Sequence, residues 1–333
     1  KWSNCRRLFG SKCAFFYTSN SIIALVEQDN ISNLNKGDNQ EPYPAFDSPT
    51  LPVKKNWWLF YILLIITLVT TILAGGRQSE NFSLETFSFK DGLLFSISLL
   101  LILGVHEFGH YWASRKNGVQ STLPYFIPAP PIFIAGTFGA FIQIKQRIPN
   151  RRVLIEIGAA GPIAGFVVAL PMLMVGLYLS SVLPSIGTGG ISYGSSFILK
   201  FCSITILGVD PSSPYVDIHF HPIAFAGWIG MLLTAFNLMP VGQLDGGHII
   251  YAIFPNKHTV IGKLFFLVLF PLGYFWPGWI FWAVMIALMG FKTAPLEEDV
   301  GELDPIHKTI GFITMVIFFL TFVPIPFSEL YKG

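Results

Sequence analysis

Four stretches of this chain, near residues 57–74, 93–113, 153–183 and 222–240, are apolar for close to the roughly 20 residues that a helix needs to cross a bilayer. Two shorter runs follow closely at 261–275 and 278–291, and a last one lies at 308–326. The expected fold is therefore an all-α polytopic membrane protein, a bundle of about six or seven transmembrane helices. Composition agrees, since only 12% of the 333 residues are charged, against about 25% in an ordinary soluble domain. A net charge of +2, with no basic stripe interleaved with aromatics, gives no footing for nucleic acid as a partner.

Residues 1–52 are different in kind. They carry "QDNISNLNKGDNQEPYPAFDSPTLP", polar and proline-bearing with no sustained periodicity, and read as a flexible polar N-terminal tail. Residues 53–333 form the integral membrane domain. Residues 1–20 are basic and free of Asp and Glu, a composition that resembles a transit segment. The cysteines at 5, 13 and 202 are scattered, with no C-x-x-C pair, so neither a disulfide framework nor a cysteine metal site is expected.

Basic residues set the orientation. With the tail on the inner side, inner segments hold Lys54, Lys55, Arg115, Lys116, Lys145, Arg147, Arg151, Arg152, Lys257, Lys263, Lys292 and Lys308, while outer segments hold Arg77, Lys90 and Lys200. That bias follows the positive-inside rule. It places the motif H-E-F-G-H at 106–110 near the inner end of the second run, with His110 about 7 Å and His106 about 13 Å along the axis from Arg115.

One apolar stretch cannot be a helix. "STLPYFIPAPPIFIAGTFGAFIQIKQ", 121–146, contains Pro124, Pro128, Pro130 and Pro131, then Gly136 and Gly139, and proline interrupts a helix. The residues after Pro131 suit a short β-hairpin turning near Gly136. Irregular backbone at membrane depth must be buried in protein or line a wet cavity.

Only Glu107, Glu156 and Asp245 among the acidic residues fall within or at the edge of the apolar runs, and an ionisable group at that depth is a functional candidate by default. Glu156 has a structural explanation in an i,i+4 ion pair with Arg152. His106 and His110, also spaced i,i+4, share one helix face about 6 Å apart, a separation that suits two ligands of one tetrahedral zinc. Glu107 lies about 100° around the helix, the H-E-x-x-H arrangement in which Glu takes a proton from the zinc-bound water. Zinc in a catalytic site wants a third protein ligand and one open position. By elimination that ligand is Asp245, in "FNLMPVGQLDGGHIIY" (236–251), where Pro240, Gly242, Gly246 and Gly247 break the fourth long run. His248 would close the open position, so it reads as a supporting or structural residue, and His219 and His221 lie in the outer segment away from the metal.

These residues resemble the site-2 protease family of intramembrane zinc metalloproteases. The likeness rests on H-E-F-G-H at 106–110, G-T-F-G at 136–139, G-A-A-G-P at 158–162 and N-L-M-P-V-G-Q-L-D-G-G at 237–247, spanning about 93–250. It implies one Zn2+ held by His106, His110 and Asp245, with Glu107 as general base, cutting single-span membrane protein substrates within the bilayer. Asn237 matches the family asparagine that holds the substrate backbone or the developing oxyanion, with an interhelical hydrogen bond as the alternative. The hairpin, with Gly136, Thr137, Phe138 and Gly139, resembles the family's substrate-clamping strand, with plain packing as the alternative. A helical substrate must unwind to be cut, and an added β-strand would hold it extended.

Many members insert a PDZ domain where residues 184–221 stand here. That segment falls short of the roughly 50 residues of an independent domain, so a PDZ-less member is expected. The breaks at Pro271, Pro277 and Gly278 mark a candidate mobile gate. Two other readings compete: a membrane zinc transporter, and an inactive relative that retains membrane clients. Location is expected in a bacterial inner membrane or an organellar membrane, with the site near the cytoplasmic or stromal side. Oligomeric state has no sequence signal.

Overall fold

A computed structural model describes residues 15–18, 21–24, 57–78, 87–130, 133–184, 191–291, 293, 296–297 and 302–329. The chain divides into two compact units, 1–52 and 53–333. In the first, β1 (Phe15–Thr18) pairs antiparallel with β2 (Ser21–Ala24). The rest of the expected tail, with Cys5 and Cys13, lies outside the described residues, as do Lys54, Lys55 and Lys292.

The second unit is helical, with α1 (Trp57–Gly76), α2 (Phe89–Lys116) and α3 (Arg151–Tyr178), then α4 (Phe197–Leu207), α5 (Pro222–Asn237) and α6 (Asp245–Ile253), and α7 (His258–Phe275), α8 (Gly278–Met289) and α9 (Pro305–Thr321). Each apolar run becomes a helix, and α4 and α6 lie outside those runs. Among the described residues α1, α2, α3 and α7 are long and apolar enough to span a bilayer. The chain is a polytopic all-α membrane protein.

Local chemistry sets the helix ends. Ser88 caps α2 by accepting from the Asp91 N–H, and Asn150 caps α3 by accepting from the N–H groups of Arg152 and Val153, satisfying amides that the first turn leaves unpaired. Arg115 and Lys116 occupy the last turn of α2, where the helix dipole favours cations. Pro162 and Pro171 lie inside α3 without ending it; neighbouring helices make such prolines tolerable within a bilayer.

Helices α2, α3 and α5 pack together at the centre, and their facing residues, among them Leu99, Ile102, Ala169, Leu173, Trp228 and Met231, are buried. A buried polar contact ties α1 to α2, the Thr71 and Ser96 hydroxyls lying 2.5 Å apart. Residues 125–141 form the expected hairpin with a shifted first strand. Strand β3 (Tyr125–Pro128) pairs antiparallel with β4 (Thr137–Phe141), so it precedes Pro130, and Gly136 stands just before β4 with φ +65°; Pro131 lies outside the described residues.

One expectation is corrected. Arg152 does not pair with Glu156. It reaches Asp304 (3.2 Å), while Glu156 takes Lys116 Nζ (3.1 Å), Asn117 Nδ2 (3.0 Å) and His307 Nε2 (3.2 Å), joining the end of α2, the start of α3 and the start of α9. The segment between α3 and α5 carries further elements among its described residues. It holds α4, and β5 (Ser181–Pro184) pairs with β7 (Val216–His219), while β6 (Ile191–Tyr193) pairs with β8 (Phe327–Glu329).

Candidate metal centre

His106 and His110 leave the same face of α2 near its basic end, and both are buried. Asp245 opens α6, directly after the break that follows α5. The turn between these helices folds onto its own carbonyls. A Cβ on Gly246 would crowd the Leu238 and Met239 carbonyl oxygens, and one on Gly247 those of Val241 and Gly242, so only glycines let α6 begin close enough to bring Asp245 to α2.

The three side chains converge. His110 Nε2 lies 3.2 Å from His106 Nε2 and 3.1 Å from Asp245 Oδ2, and His106 Nε2 lies 3.4 Å from the same oxygen. Zinc bonds of about 2.0–2.2 Å in tetrahedral geometry place ligand atoms about 3.3–3.5 Å apart, so this nearly equilateral triangle fits one zinc ion with its fourth corner open. The donor set, two imidazoles and one carboxylate, fits equally well, and among the described residues this is the one such group.

The surroundings fix the ligand tautomer. His110 Nδ1 donates to the Ile157 carbonyl oxygen (2.7 Å), and because a carbonyl only accepts, the proton sits on Nδ1 and Nε2 is left with its lone pair toward the triangle. Helix α3 makes room with glycine. A Cβ on Gly161 would overlap the His110 ring, and one on Gly165 would lie 2.9 Å from His106 Nδ1. Gly109 brings the backbones together at the same level, its Cβ position being 2.6 Å from the Ala160 carbonyl oxygen.

Glu107 is buried beside the triangle, and its carboxylate faces the Ile142 N–H just past β4. Asn237, the last residue of α5, places its amide Nδ2 3.3 Å from His106 Nε2. On the hairpin, Thr137 is buried, its hydroxyl donating to the Ile127 carbonyl (2.7 Å) and accepting from the Gly139 N–H (3.0 Å), while Phe138 is exposed beside Phe133. His248 is a neighbour of Asp245 and His110 but not a member of the ligand group. Its Nδ1 is buried without a hydrogen-bond partner among the described residues. His221 caps α5 through the Ile223 N–H, and His219 is on β7; neither joins the site.

The sequence marks Gly161 only as part of G-A-A-G-P at 158–162, without a role, and does not mark Ile157, Gly165 or Ile142. One signal was available for the glycines: their i,i+4 spacing repeats that of the histidines they face. The carbonyl of Ile157 and the amide of Ile142 are backbone groups, which no residue pattern marks.

Residues 94–269, just over half of the chain, match the profile of peptidase family M50. The chain is 30% identical over 294 residues to the protein named "Probable zinc metalloprotease EGY2, chloroplastic" in Oryza sativa subsp. indica, covering 84% of this chain and 52% of the relative. It is 31% identical over 250 residues to the Arabidopsis thaliana protein of the same name, covering 72% of this chain and 43% of the relative. Arabidopsis thaliana "Probable zinc metalloprotease EGY1, chloroplastic" is 31% identical over 251 residues, covering 72% of this chain and 44% of the relative. The chain thus spans about half the length of the curated relatives it matches. No solved structure gives a significant match.

Proposed function

The chain belongs to peptidase family M50, and from that premise and the geometry of the site we propose that it is an intramembrane zinc endopeptidase that hydrolyses peptide bonds within transmembrane segments of single-span membrane proteins. The observation that carries the reading is the convergence of His106, His110 and Asp245 on one point beside a buried Glu107. Residues 53–333 serve as the membrane metalloprotease domain, with its catalytic core at about 93–250. The chloroplast-named relatives and the bias of basic residues support a plastid membrane with the site toward the stroma.

In this reading His106, His110 and Asp245 hold the zinc. The ion, when bound, supplies a Lewis acid that polarises the scissile carbonyl and acidifies water toward a pKa of about 7. Glu107 then takes the proton of the attacking water on its carboxylate and later delivers it to the leaving amine. Asn237 donates its Nδ2–H to the substrate backbone or to the oxygen on which charge develops, a role worth on the order of 10²–10³ in rate for such donors. Strand β4, through Thr137, Phe138 and Gly139 and with Gly136 just before it, holds the unwound substrate extended by strand addition. The exposed Phe138 offers an apolar contact to it.

A bound metal would offset the cost of placing two imidazoles and a carboxylate at this depth. A zinc ion held there would compensate the Asp245 carboxylate, and the dry surroundings would strengthen each electrostatic contact with the reacting carbonyl. The test is zinc content and zinc flux in proteoliposomes of the wild type and Asp245→Ala. A protease holds about one zinc per wild-type chain, loses it in the variant, and moves none across the membrane. Zinc flux through the wild type that disappears in the variant would replace this reading with transport.

A further inference from the structure

The outer segment between α3 and α5 carries a helix that the chemistry does not use. Helix α4 is capped at one end by Ser196, whose hydroxyl accepts from the Leu199 N–H (3.2 Å), and at the other by Gly208 at φ +72°. Its inner face is settled: Leu199 and Cys202 are buried in the main core, and the Ser203 hydroxyl donates to the Val209 carbonyl (3.0 Å). Its outer face is not covered. Phe197 is 73% exposed, Phe201 66% and Ile204 47%, and their i, i+4, i+7 spacing makes one continuous apolar stripe.

Three observations say what covers it. First, β5 and β7 pair from Ser181 to His219, which returns the segment to the bundle immediately after α3 ends at Tyr178 and before α5 begins at Pro222, and α4 packs on α3 and α9. Second, α3, on which α4 packs, itself exposes Val167, Met174, Val175 and Tyr178 on a helix of membrane-spanning length. Third, the one basic residue of α4, Lys200, is neutralised by Asp210 at 2.6 Å. At 11 residues the helix is about 16 Å long, far short of the roughly 30 Å of hydrocarbon, so it does not cross. The 21-residue separation of Tyr178 from Ile157, the partner of His110, corresponds to about 31 Å along α3, which puts α4 at the opposite end of the bundle from the metal centre.

We propose that the Phe197, Phe201 and Ile204 edge of α4 is a lipid-contacting surface that inserts into the leaflet opposite the metal centre. The occupant is the bilayer itself. An amphipathic helix at the headgroup boundary buries its apolar face by about 5–10 Å, and anchored at the end of α3 it sets the depth at which that helix, and the histidine-bearing helix packed on it, rest in the membrane.

The experiment uses the full chain in liposomes with Cys5, Cys13 and Cys202 replaced by serine and single spin labels introduced at 197, 201 and 204. Val175 on α3 provides the lipid reference and exposed Ser212 the water reference. Collision with oxygen, which concentrates in lipid, should exceed collision with a water-soluble nickel chelate several-fold at all three positions, as at Val175. Labels at 197 and 201 that behave like the one at Ser212 would overturn the proposal and leave the stripe as a surface for a protein partner. Should the cysteine-free background fail to fold, a membrane-dissolved photoprobe on the unaltered chain gives the same decision: adducts on Phe197 or Phe201 support insertion, and their absence while α3 is labelled refutes it.

Discussion

A methyl group on Gly161 would overlap the Nε2 atom of His110, so the metal-facing imidazole occupies volume that only a glycine on the neighbouring helix leaves open. The relationship is repeated one turn on, where Gly165 faces His106. Zinc affinity in this chain is therefore expected to depend on α3 as much as on the helix that carries the histidines.

Gly161→Ala should lower zinc affinity by about 10- to 100-fold, the effect typical of disturbing a group that orients a ligand. Gly158 is the matched control, because its added Cβ would meet His248 at an ordinary 3.5 Å. Bound zinc per purified chain checks both, and equal zinc in Gly161→Ala and Gly158→Ala would show that the packing does not govern the site.

Asn237→Ala should retain zinc and lose on the order of 10²-fold or more in cleavage rate, as removal of a donor to a developing oxyanion does. Single-turnover cleavage at saturating substrate reads this directly. A variant with normal rate and weakened thermal stability would instead assign Asn237 to helix packing.

Glu156→Gln should destabilise the folded chain by about 1–2 kcal/mol, allowing for the partial exposure of its ion pairs. It accepts from Lys116, Asn117 and His307 across three helices. Arg152→Ala removes only the open contact with Asp304 and should cost less, within about 1 kcal/mol. Paired denaturation curves in one detergent compare them, and the reverse ranking would contradict the assignment.

Asp304 gives the acid limb of stability a specific origin. Hydrogen bonds from the His307 side chain (2.7 Å) and backbone N–H (3.0 Å) hold its carboxyl down at about 2, against an ordinary 3.8. A depressed carboxyl stabilises the fold fully above its unfolded value and loses that contribution as pH falls from about 4 toward 2. Thermal melting between pH 5 and 2.5 should show a steeper acid loss in the wild type than in Asp304→Asn, which keeps a cap acceptor without titrating. Superimposable pH profiles would remove Asp304 from the explanation.

Much of the site is legible in sequence because its chemistry is local. H-E-F-G-H fixes two imidazoles on one helix face, and Pro240 with the glycines at 242, 246 and 247 marks the break beside Asp245. What joins these elements is not local. Glu156 has Arg152 one turn before it, yet the tertiary arrangement brings Lys116 and His307 nearer, and an i,i+4 pair worth a few tenths of a kcal/mol yields to three charge-assisted contacts. Helix α4 is not legible in sequence, because 11 residues between Ser- and Gly-rich flanks are too few to read as a span, and its amphipathic stripe gains meaning only from the core beneath Leu199. The hairpin was visible in its prolines, but the start of β3 was not, since Tyr125–Pro128 becomes a strand by pairing with β4.

The central claim is that Glu107 moves protons for hydrolysis beside a zinc held by His106, His110 and Asp245. Wild type and Glu107→Gln, reconstituted with a single-span substrate, should hold equal zinc, while the variant loses cleavage by at least 10³-fold. Undiminished cleavage by Glu107→Gln, with zinc retained in both, would contradict the account.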